Sequence, residues 1–179
     1  MKKQLFSIFL GLLLISLCVP NVSGQEPGKN TIYGGVGFIW DLGASVPFPG
    51  LYFEYERLLH GMFSIGVEIG SEVLVMLATT DGTQFAFMPY AEVKGRWYPR
   101  ANIFFIGAAF GALFNLSTPM PTHLTISPGI GWRIDVGKNN KWVMVPGIYG
   151  RILYYIEGEE WLAGRGSHLK ANFSVGYRF

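Results

Sequence analysis

The strongest constraint on the fold is the alternation of apolar and polar side chains in residues 168–179. A period of two indicates a β-strand with one apolar and one polar face. Aromatic side chains that end the apolar face are typical of a membrane–water interface. The pattern therefore predicts the last strand of a transmembrane β-barrel, apolar towards lipid and polar towards the lumen. The apolar set is Leu169, Ala171, Phe173, Val175, Tyr177 and Phe179, and the polar set is Lys170, Asn172, Ser174, Gly176 and Arg178.

The same alternation recurs along the chain and predicts eight strands. Tight turns at 58–61, 98–101 and 137–140 alternate with longer loops at 41–50, 74–84, 115–123 and 156–167. This arrangement predicts an all-β fold, an eight-stranded antiparallel up-and-down transmembrane barrel with its turns and both termini in the periplasm. The predicted strands are 31–40, 51–59, 62–73, 85–97, 102–114, 124–136, 142–155 and 168–179.

Residues 1–24 are expected to be a cleaved secretory signal peptide. Two lysines precede an apolar run that is too short for a spanning helix, and small residues follow at the cleavage spacing. Cys18 raises the alternative of a lipoprotein, but Leu17 before it is not the small residue that a lipobox requires. Residues 25–30 are then a short periplasmic leader and residues 31–179 the barrel.

Residues 25–179 contain twelve basic and twelve acidic residues and no cysteine. The balanced charge argues against nucleic acid as a partner. The absence of cysteine excludes a disulfide framework in that part of the chain.

Charged residues fall almost entirely on the parity that faces the lumen. A lipid-facing Lys or Arg at the bilayer midplane costs about 2–4 kcal/mol, so this segregation supports the barrel. Only Arg57 lies on the outer parity, near the periplasmic end where its head group could reach solvent. The inward set predicts an ion-pair network that fills the lumen, with a narrow water or ion path as the alternative. Its members are Glu54, Glu56, Glu68, Glu72, Glu92, Asp135, Lys94, Arg96, Arg133, Arg151, Lys170 and Arg178.

Two histidines are expected near the outer rim, at the starts of the sixth and eighth strands. A base within reach of a hydroxyl is what nucleophilic catalysis requires. No spacing here matches a lipid A deacylase or palmitoyltransferase, however. We therefore assign no catalytic, cofactor-binding or metal-binding residue. The residues considered are His123 and His168, with Ser117, Ser167, Glu159 and Glu160 in the adjoining loops.

Three prolines, Pro89, Pro128 and Pro146, fall inside predicted strands on the outer parity. Proline cannot donate to a β-ladder, and a closed barrel has no edge strand to accommodate it. One interpretation is a bulge or bend that curves the barrel. The other is a weakened seam, formed at Pro128 and Pro146, between the sixth and seventh strands, through which a lipid or apolar ligand could pass sideways.

Over nearly all of residues 25–179, the pattern resembles the small eight-stranded outer-membrane barrels. These are the OmpA transmembrane-domain and OmpX-like group, including the outer membrane protein β-barrel domain chains of Bacteroidetes. The resemblance implies insertion into the bacterial outer membrane by the barrel assembly machinery, which would read Tyr177 and Phe179 as an assembly signal. Unlike OmpA itself, the chain is not expected to carry a peptidoglycan-binding domain after the barrel.

We expect a monomeric, non-enzymatic barrel that serves envelope structure or surface interaction through its extracellular loops. The expected partners are outer-membrane lipid and lipopolysaccharide, the assembly machinery during insertion, and an extracellular ligand held by the loops. The alternative is a barrel that binds, passes laterally or modifies a lipid or small apolar ligand, or that forms a narrow channel.

Overall fold

The computed structural model describes residues 30–41, 47–60, 62–79, 82–99, 103–114, 122–137, 139–157 and 160–179. The predicted signal peptide, Cys18 and all but the last residue of the predicted leader lie outside these ranges. The described residues form nine strands: β1 (Asn30–Asp41), β2 (Pro47–His60), β3 (Phe63–Thr79), β4 (Gly82–Trp97), β5 (Phe104–Leu113), β6 (His123–Trp132), β7 (Ile134–Val136), β8 (Trp142–Glu157) and β9 (Glu160–Arg178).

Successive strands pair antiparallel, except for β6 and β7, and the sheet closes on itself through β1 and β9. The closing register runs from Thr31 opposite Arg178 to Asp41 opposite His168. Both β6 and β7 pair with β8, so the two short strands form one continuous wall, broken only at Arg133. The nine strands therefore build eight walls, and the predicted eight-stranded antiparallel barrel is confirmed.

Alternation sorts the side chains of every wall into an outer apolar face and a lumenal face. Because lipid surrounds the barrel, large apolar side chains stay stable on the outer face, while most of the charged ones are buried inside. No helix in the described part of the chain is long and apolar enough to cross a bilayer. Exposed outer residues include Ile32, Phe53, Ile69, Phe110, Ile130, Ile148 and Phe173.

Aromatic pairs lie at the end of the barrel that carries both termini. Phe63 stacks on Trp97 at 6.4 Å between ring centroids, and Trp142 meets the edge of Tyr177 at 5.4 Å. Both pairs join directly opposite residues of adjacent strands. Amphipathic rings are stable at the membrane interface, so these pairs mark the periplasmic boundary of the lipid-facing surface.

The predictions of long loops at 74–84 and 156–167 are wrong, because strands occupy most of both segments. The chain at 74–84 continues β3 to Thr79 and begins β4 at Gly82, and the chain at 156–167 continues β8 to Glu157 and begins β9 at Glu160. Residues 74–78 are all apolar, so alternation ends there although the backbone pairing continues. A spanning strand needs about 9–11 residues. At 16 to 19 residues, these four strands therefore extend beyond the lipid as two paired ribbons.

The turn that precedes β8 has the backbone geometry that its residues favour. Gly137 has a φ of 87° and Asn140 a φ of 49°. Both angles lie in the left-handed region, which glycine and asparagine adopt most readily. The N–H of Asn140 donates to the carbonyl of Gly137 at 3.3 Å, which keeps the connection between β7 and β8 short.

Candidate functional site

The lumen contains a row of three glutamates on adjacent strands. Glu54 of β2 lies directly opposite Glu68 of β3, which in turn lies opposite Glu92 of β4. All three are at most 2% exposed. Like charges directly opposite each other in a sheet are destabilising, so this row requires cations from elsewhere in the barrel.

Two lysines separate the three carboxylates. Lys94 of β4 contacts Glu68 and lies 3.3 Å from Glu54. Lys170 of β9 lies 2.8 Å from Glu68 and 3.7 Å from Glu92. Each lysine therefore bridges two glutamates, and both are about 2% exposed.

Towards the periplasm, the row continues through Arg96 to Glu56. Arg96 contacts Glu54 and lies 3.2 Å from Glu56. Tyr33 and Tyr98 donate hydrogen bonds to Glu56 at 2.6 and 2.7 Å, and Ser64 donates a third. Glu56 is thus buried with a charged partner and several neutral donors, which is how a carboxylate remains stable in a low-dielectric interior.

Towards the outside, the row continues through Arg151 of β8. Arg151 contacts Glu72 of β3 and lies 2.9 Å from Glu92 of β4. All three side chains are at most 2% exposed. The complete set, which we name the charge chain, alternates in sign along the lumen. Its order is Glu56, Arg96, Glu54, Lys94, Glu68, Lys170, Glu92, Arg151 and Glu72.

The charge chain crosses the barrel rather than lining one wall. The walls that hold β3 and β8 are four apart in a circle of eight, and so are those that hold β4 and β9. The contacts of Arg151 with Glu72 and of Lys170 with Glu92 therefore span the full width of the lumen.

Beside the charge chain lies a narrow gap that leaves no room for a water molecule. The crossing contacts place paired side chains across the described lumen at the level of the glutamate row. The gap is lined by Tyr52, Arg96, Val145, Gly147, Tyr149, Asn172 and Ser174.

The other three predicted lumenal charges form a separate group at the periplasmic mouth. Arg178 lies 2.5 Å from Asp135, and Arg133 lies 3.7 Å from the same carboxylate. The Asp135 side chain is 39% exposed, so this group is much more accessible to solvent than the charge chain. Alternation predicts the face of the wall on which a residue lies, but not its position along the barrel axis. The sequence analysis therefore assigned both groups of charges to one network.

Arg57 departs from its expected environment. It keeps the outer register, opposite Ile65 of β3, but it is only 7% exposed. The interpretation that its head group reaches into solvent is therefore wrong, because the side chain is covered.

Opposite the glutamate row, the lumen is apolar. Phe105 of β5 is fully buried and packs with Tyr98, and Tyr149 of β8 lies 6.5 Å from it. These rings occupy positions on the polar parity, so alternation did not single them out. Glycines in the adjacent strands were the sequence signal that could have revealed these rings. Gly131 lies opposite Phe105 on β6, and a Cβ at Gly131 would overlap the Phe105 ring. The buried cluster is Tyr33, Tyr98, Phe105, Val143, Val145 and Tyr149.

The ladder between β6/β7 and β8 is interrupted twice. Residues 124–126 pair with 152–154, 129–131 with 147–149, and 134–136 with 142–144. The missing steps are Ser127–Pro128 opposite Gly150–Arg151, and Trp132–Arg133 opposite Val145–Pro146. Each interruption therefore contains one of the predicted prolines. The register is the same on both sides of each gap, so no residue is inserted as a β-bulge would require.

The direction of the missing donors follows from alternation. The N–H of Arg133 donates to the carbonyl of Ile103, on the β5 side. In a strand, the N–H groups of successive residues point alternately to the two neighbouring strands. Pro128 lies an odd number of residues from Arg133, so the nitrogen of Pro128 faces the other neighbour, β8. Proline has no N–H to donate there. On their other sides the two prolines are paired, with Ala108 and Phe173. The defect is thus confined to one boundary, which we name the β6–β8 seam.

Pro89 has no comparable effect on its ladder. It pairs with Ser71 of β3, and the ladder between β4 and β5 ends at the next residue, Tyr90. Its carbonyl accepts a hydrogen bond from the N–H of Phe114 at 2.8 Å. A missing N–H at the end of a ladder removes no internal pair.

The rim residues considered for catalysis are only partly described. His123 begins β6 opposite Leu113, and His168 lies opposite Asp41 and Arg151. Ser117 and Glu159 lie outside the described residues, and so do the side chains of Ser167 and Glu160. Within the described ranges, no three His, Cys, Asp or Glu side chains converge as a metal-binding group would.

No protein-family model matches the chain, and no curated protein matches it by sequence. Two similar solved structures cover nearly all of the barrel. Neisserial surface protein A (NspA) is 8% identical with a TM-score of 0.54, over 87% of this chain and 100% of that chain. Ail, the attachment invasion locus protein of Yersinia pestis, was solved in complex with the heparin analogue sucrose octasulfate. It is 11% identical with a TM-score of 0.52, over 86% and 100%.

This chain has the fold of the small outer-membrane β-barrels. At such low identities the likeness shows the fold alone. The predicted resemblance to the small eight-stranded outer-membrane barrels is thus confirmed at the level of the fold, and the apolar outer face and the interfacial aromatic pairs agree with a barrel that spans a membrane.

Proposed function

We propose that this barrel is a non-enzymatic outer-membrane protein with a closed lumen, which serves envelope structure or surface interaction through its extracellular ends. The observation that carries the proposal is the charge chain. Its nine members alternate in sign and cross the barrel, so a solute would have to break several buried ion pairs to pass.

The energetics of buried ion pairs favour a structural role for the charge chain. Removing one partner from such a pair costs about 3–5 kcal/mol, because the other charge is left uncompensated. A chain of shared partners therefore holds its side chains in one arrangement. An open channel would instead need charges that water can reach.

The two ribbons support a role at the cell surface. They stand on opposite walls of the barrel, formed by β3 with β4 and by β8 with β9. The segments 41–49, 74–86, 115–123 and 155–168 contain five acidic residues and one arginine. A polysulfated ligand such as the one bound by Ail would be repelled by this charge, so we propose a partner with a basic or neutral surface.

Conductance tests the closed lumen directly. Purified, refolded barrel should insert into planar lipid bilayers and give current no higher than background. A general porin in the same bilayers provides the positive control. Discrete, large conductance steps from the barrel itself would overturn the closed-lumen proposal.

A second function, handling of a lipid or small apolar ligand from the membrane side, is favoured by a different observation. The β6–β8 seam lacks pairs at both prolines, and the lumen behind its Pro146 end is apolar. Lipid A mass spectrometry of a deletion strain tests the modifying version of this function. An unchanged lipid A profile would exclude modification of lipid A and leave only binding or lateral passage of the ligand as the second function.

A further inference from the structure

The two ends of the barrel carry opposite charge. The three connections at the periplasmic end, 58–62, 98–103 and 137–141, contain one arginine, two lysines and no acidic residue. The outer segments named above contain five acidic residues and one arginine. A surface of one sign attracts partners of the opposite sign, so the periplasmic end is suited to an anionic partner.

Both lysines belong to the turn that precedes β8. Lys141 is exposed, and its carbonyl accepts a hydrogen bond of 2.7 Å from the N–H of Arg178. Lys138 is the second lysine of the turn. The nearest acidic residue in sequence, Asp135, already pairs with Arg133 and Arg178. The turn therefore carries positive charge that this carboxylate does not neutralise, on a backbone that is fixed to the end of β9.

An interfacial aromatic pair lies next to this charge. Trp142 follows Lys141 directly, and its ring meets the edge of the Tyr177 ring at 5.4 Å. Both rings are exposed on the outer face, and Ile134 and Val175 continue that face as exposed apolar side chains towards the bilayer centre. Base, amphipathic ring and apolar surface thus follow one another in the order of the phosphate, glycerol and acyl chains of a phospholipid.

The outer end of the barrel shows the opposite arrangement. Trp40 at the end of β1 is followed by Asp41, and Trp161 is preceded by Glu160. A phosphate group would be repelled by a carboxylate beside the interfacial ring. Charge complementarity to an anionic lipid is therefore a property of the periplasmic end, and the chain itself provides a comparison site at Trp40.

The shortness of the turn favours a lipid over a more distant partner. Only residues 137–141 separate β7 from β8, and the N–H of Asn140 donates to the carbonyl of Gly137 at 3.3 Å within them. The turn is thus held close to the interfacial rings of Trp142 and Tyr177. Phospholipid phosphates lie at this level, whereas a soluble periplasmic protein or the cell wall would have to approach the membrane surface.

We propose that the turn that precedes β8 binds the phosphate of an anionic phospholipid, such as phosphatidylglycerol, in the periplasmic leaflet. Lys138 and Lys141 attract the phosphate, Trp142 and Tyr177 lie beside the glycerol, and the acyl chains follow the apolar outer face. A zwitterionic lipid binds more weakly, because its own cationic group is repelled by the two lysines. The proposal is independent of the closed lumen and of the β6–β8 seam.

Quenching of single tryptophans by brominated lipids tests this site. Two full-length barrels are refolded in lipid vesicles, one that keeps only Trp142 and one that keeps only Trp40, with phenylalanine at the other four tryptophan positions. Mixtures of dibrominated phosphatidylglycerol and phosphatidylcholine give the relative binding constant at each ring. One lysine near an anionic head group favours it about fivefold, so we expect at least this preference at Trp142 and none at Trp40. Added salt should reduce the preference, because exposed charges are screened.

A double variant and a matched control test the lysines. Lys138→Gln combined with Lys141→Gln should bring the preference at Trp142 close to one. Arg100→Gln is the control, because it removes a base from the turn between β4 and β5 and should leave the preference at Trp142 unchanged. In phosphatidylcholine alone, the double variant should unfold at the same denaturant concentration as the unaltered barrel, since no anionic lipid is present to bind. Heat-shifted migration on gels verifies that each variant is folded.

Each of the other outcomes would overturn a defined part of the proposal. Equal quenching by the two lipids at Trp142 would overturn the binding of an anionic lipid. A preference of the same size at Trp40 would indicate general enrichment around the barrel and overturn the assignment to this turn. A preference that survives the double variant would overturn the role of the lysines. Lysine-dependent binding of purified cell-wall sacculi, without any lipid preference, would replace the lipid with a cell-wall partner.

Discussion

Arg151 of β8 contacts Glu72 of β3 across the full width of the barrel. The two residues lie on opposite walls, and their side chains are at most 1% exposed. Arg151 also lies 2.9 Å from Glu92. The Arg151 guanidinium therefore links β8, near the end of the chain, to β3 and β4 in its first half.

Replacement of Arg151 should strongly destabilise the barrel. Arg151→Ala leaves two buried carboxylates without their shared cation, so we expect the free energy of unfolding to fall by about 3–5 kcal/mol. The denaturant midpoint, followed by tryptophan fluorescence in lipid vesicles, measures this change. Lys141→Ala provides the control, because Lys141 is exposed in the periplasmic turn. Equal midpoints for the two variants would contradict the structural role of the charge chain.

Removal of Phe179 should reduce assembly. The backbone groups of Phe179 and Asn30 exchange hydrogen bonds of 2.9 and 3.4 Å where β1 and the end of the chain close the barrel. The Phe179 ring is exposed at the membrane interface. Deletion should lower the amount of heat-shifted, folded protein in outer-membrane fractions, whereas Lys141→Ala should not. Similar amounts for both would argue against the assembly role of the terminal residues.

A methyl group at Gly131 should be poorly tolerated. Its Cβ would overlap the Phe105 ring and the carbonyl of Pro146, and overpacking of this kind costs about 1–3 kcal/mol. Gly95→Ala is the matched control, since the space around Gly95 is open. Comparison of the two unfolding midpoints checks the prediction, and a Gly131→Ala protein as stable as Gly95→Ala would show that Phe105 moves aside.

Hydrogen exchange should reveal the β6–β8 seam. We expect the amides of Trp132 and Gly150 to exchange faster than those of 34–36, where β1 and β9 pair without interruption. Pro128→Thr restores an N–H that faces β8 and should slow exchange at Gly150. NMR or mass spectrometry of the barrel in nanodiscs gives the rates. Unchanged exchange in Pro128→Thr would assign the interruption to another cause.

The barrel and the faces of its walls could be predicted from sequence because lipid imposes a strict period of two. Lys170, for example, lies between two apolar neighbours, and only the lumen can accept it. Pairing partners could not be predicted in this way. The contacts of Lys170 with Glu68 and Glu92 depend on closure of the barrel, which brings into one lumen residues that are 102 and about 80 positions apart in sequence.

The ribbons and the apolar half of the lumen were missed for physical reasons. Beyond the lipid, the strands no longer need one apolar face, so residues 74–78 show no alternation although β3 continues through them. Inside the lumen, a tyrosine or phenylalanine is stable wherever a facing glycine makes room for its ring. Phe105 against Gly131 is such a case, and it can be recognised only when the register is known.

The distribution of the charge chain along the sequence has a consequence for assembly. Its five glutamates and only two of its cations, Lys94 and Arg96, belong to β2, β3 and β4, whereas Arg151 and Lys170 belong to β8 and β9. A partly inserted sheet that lacks the last two strands would carry uncompensated negative charge. Closure therefore neutralises the lumen in the same step that completes the ladder, and half-finished barrels are disfavoured without any separate proofreading step.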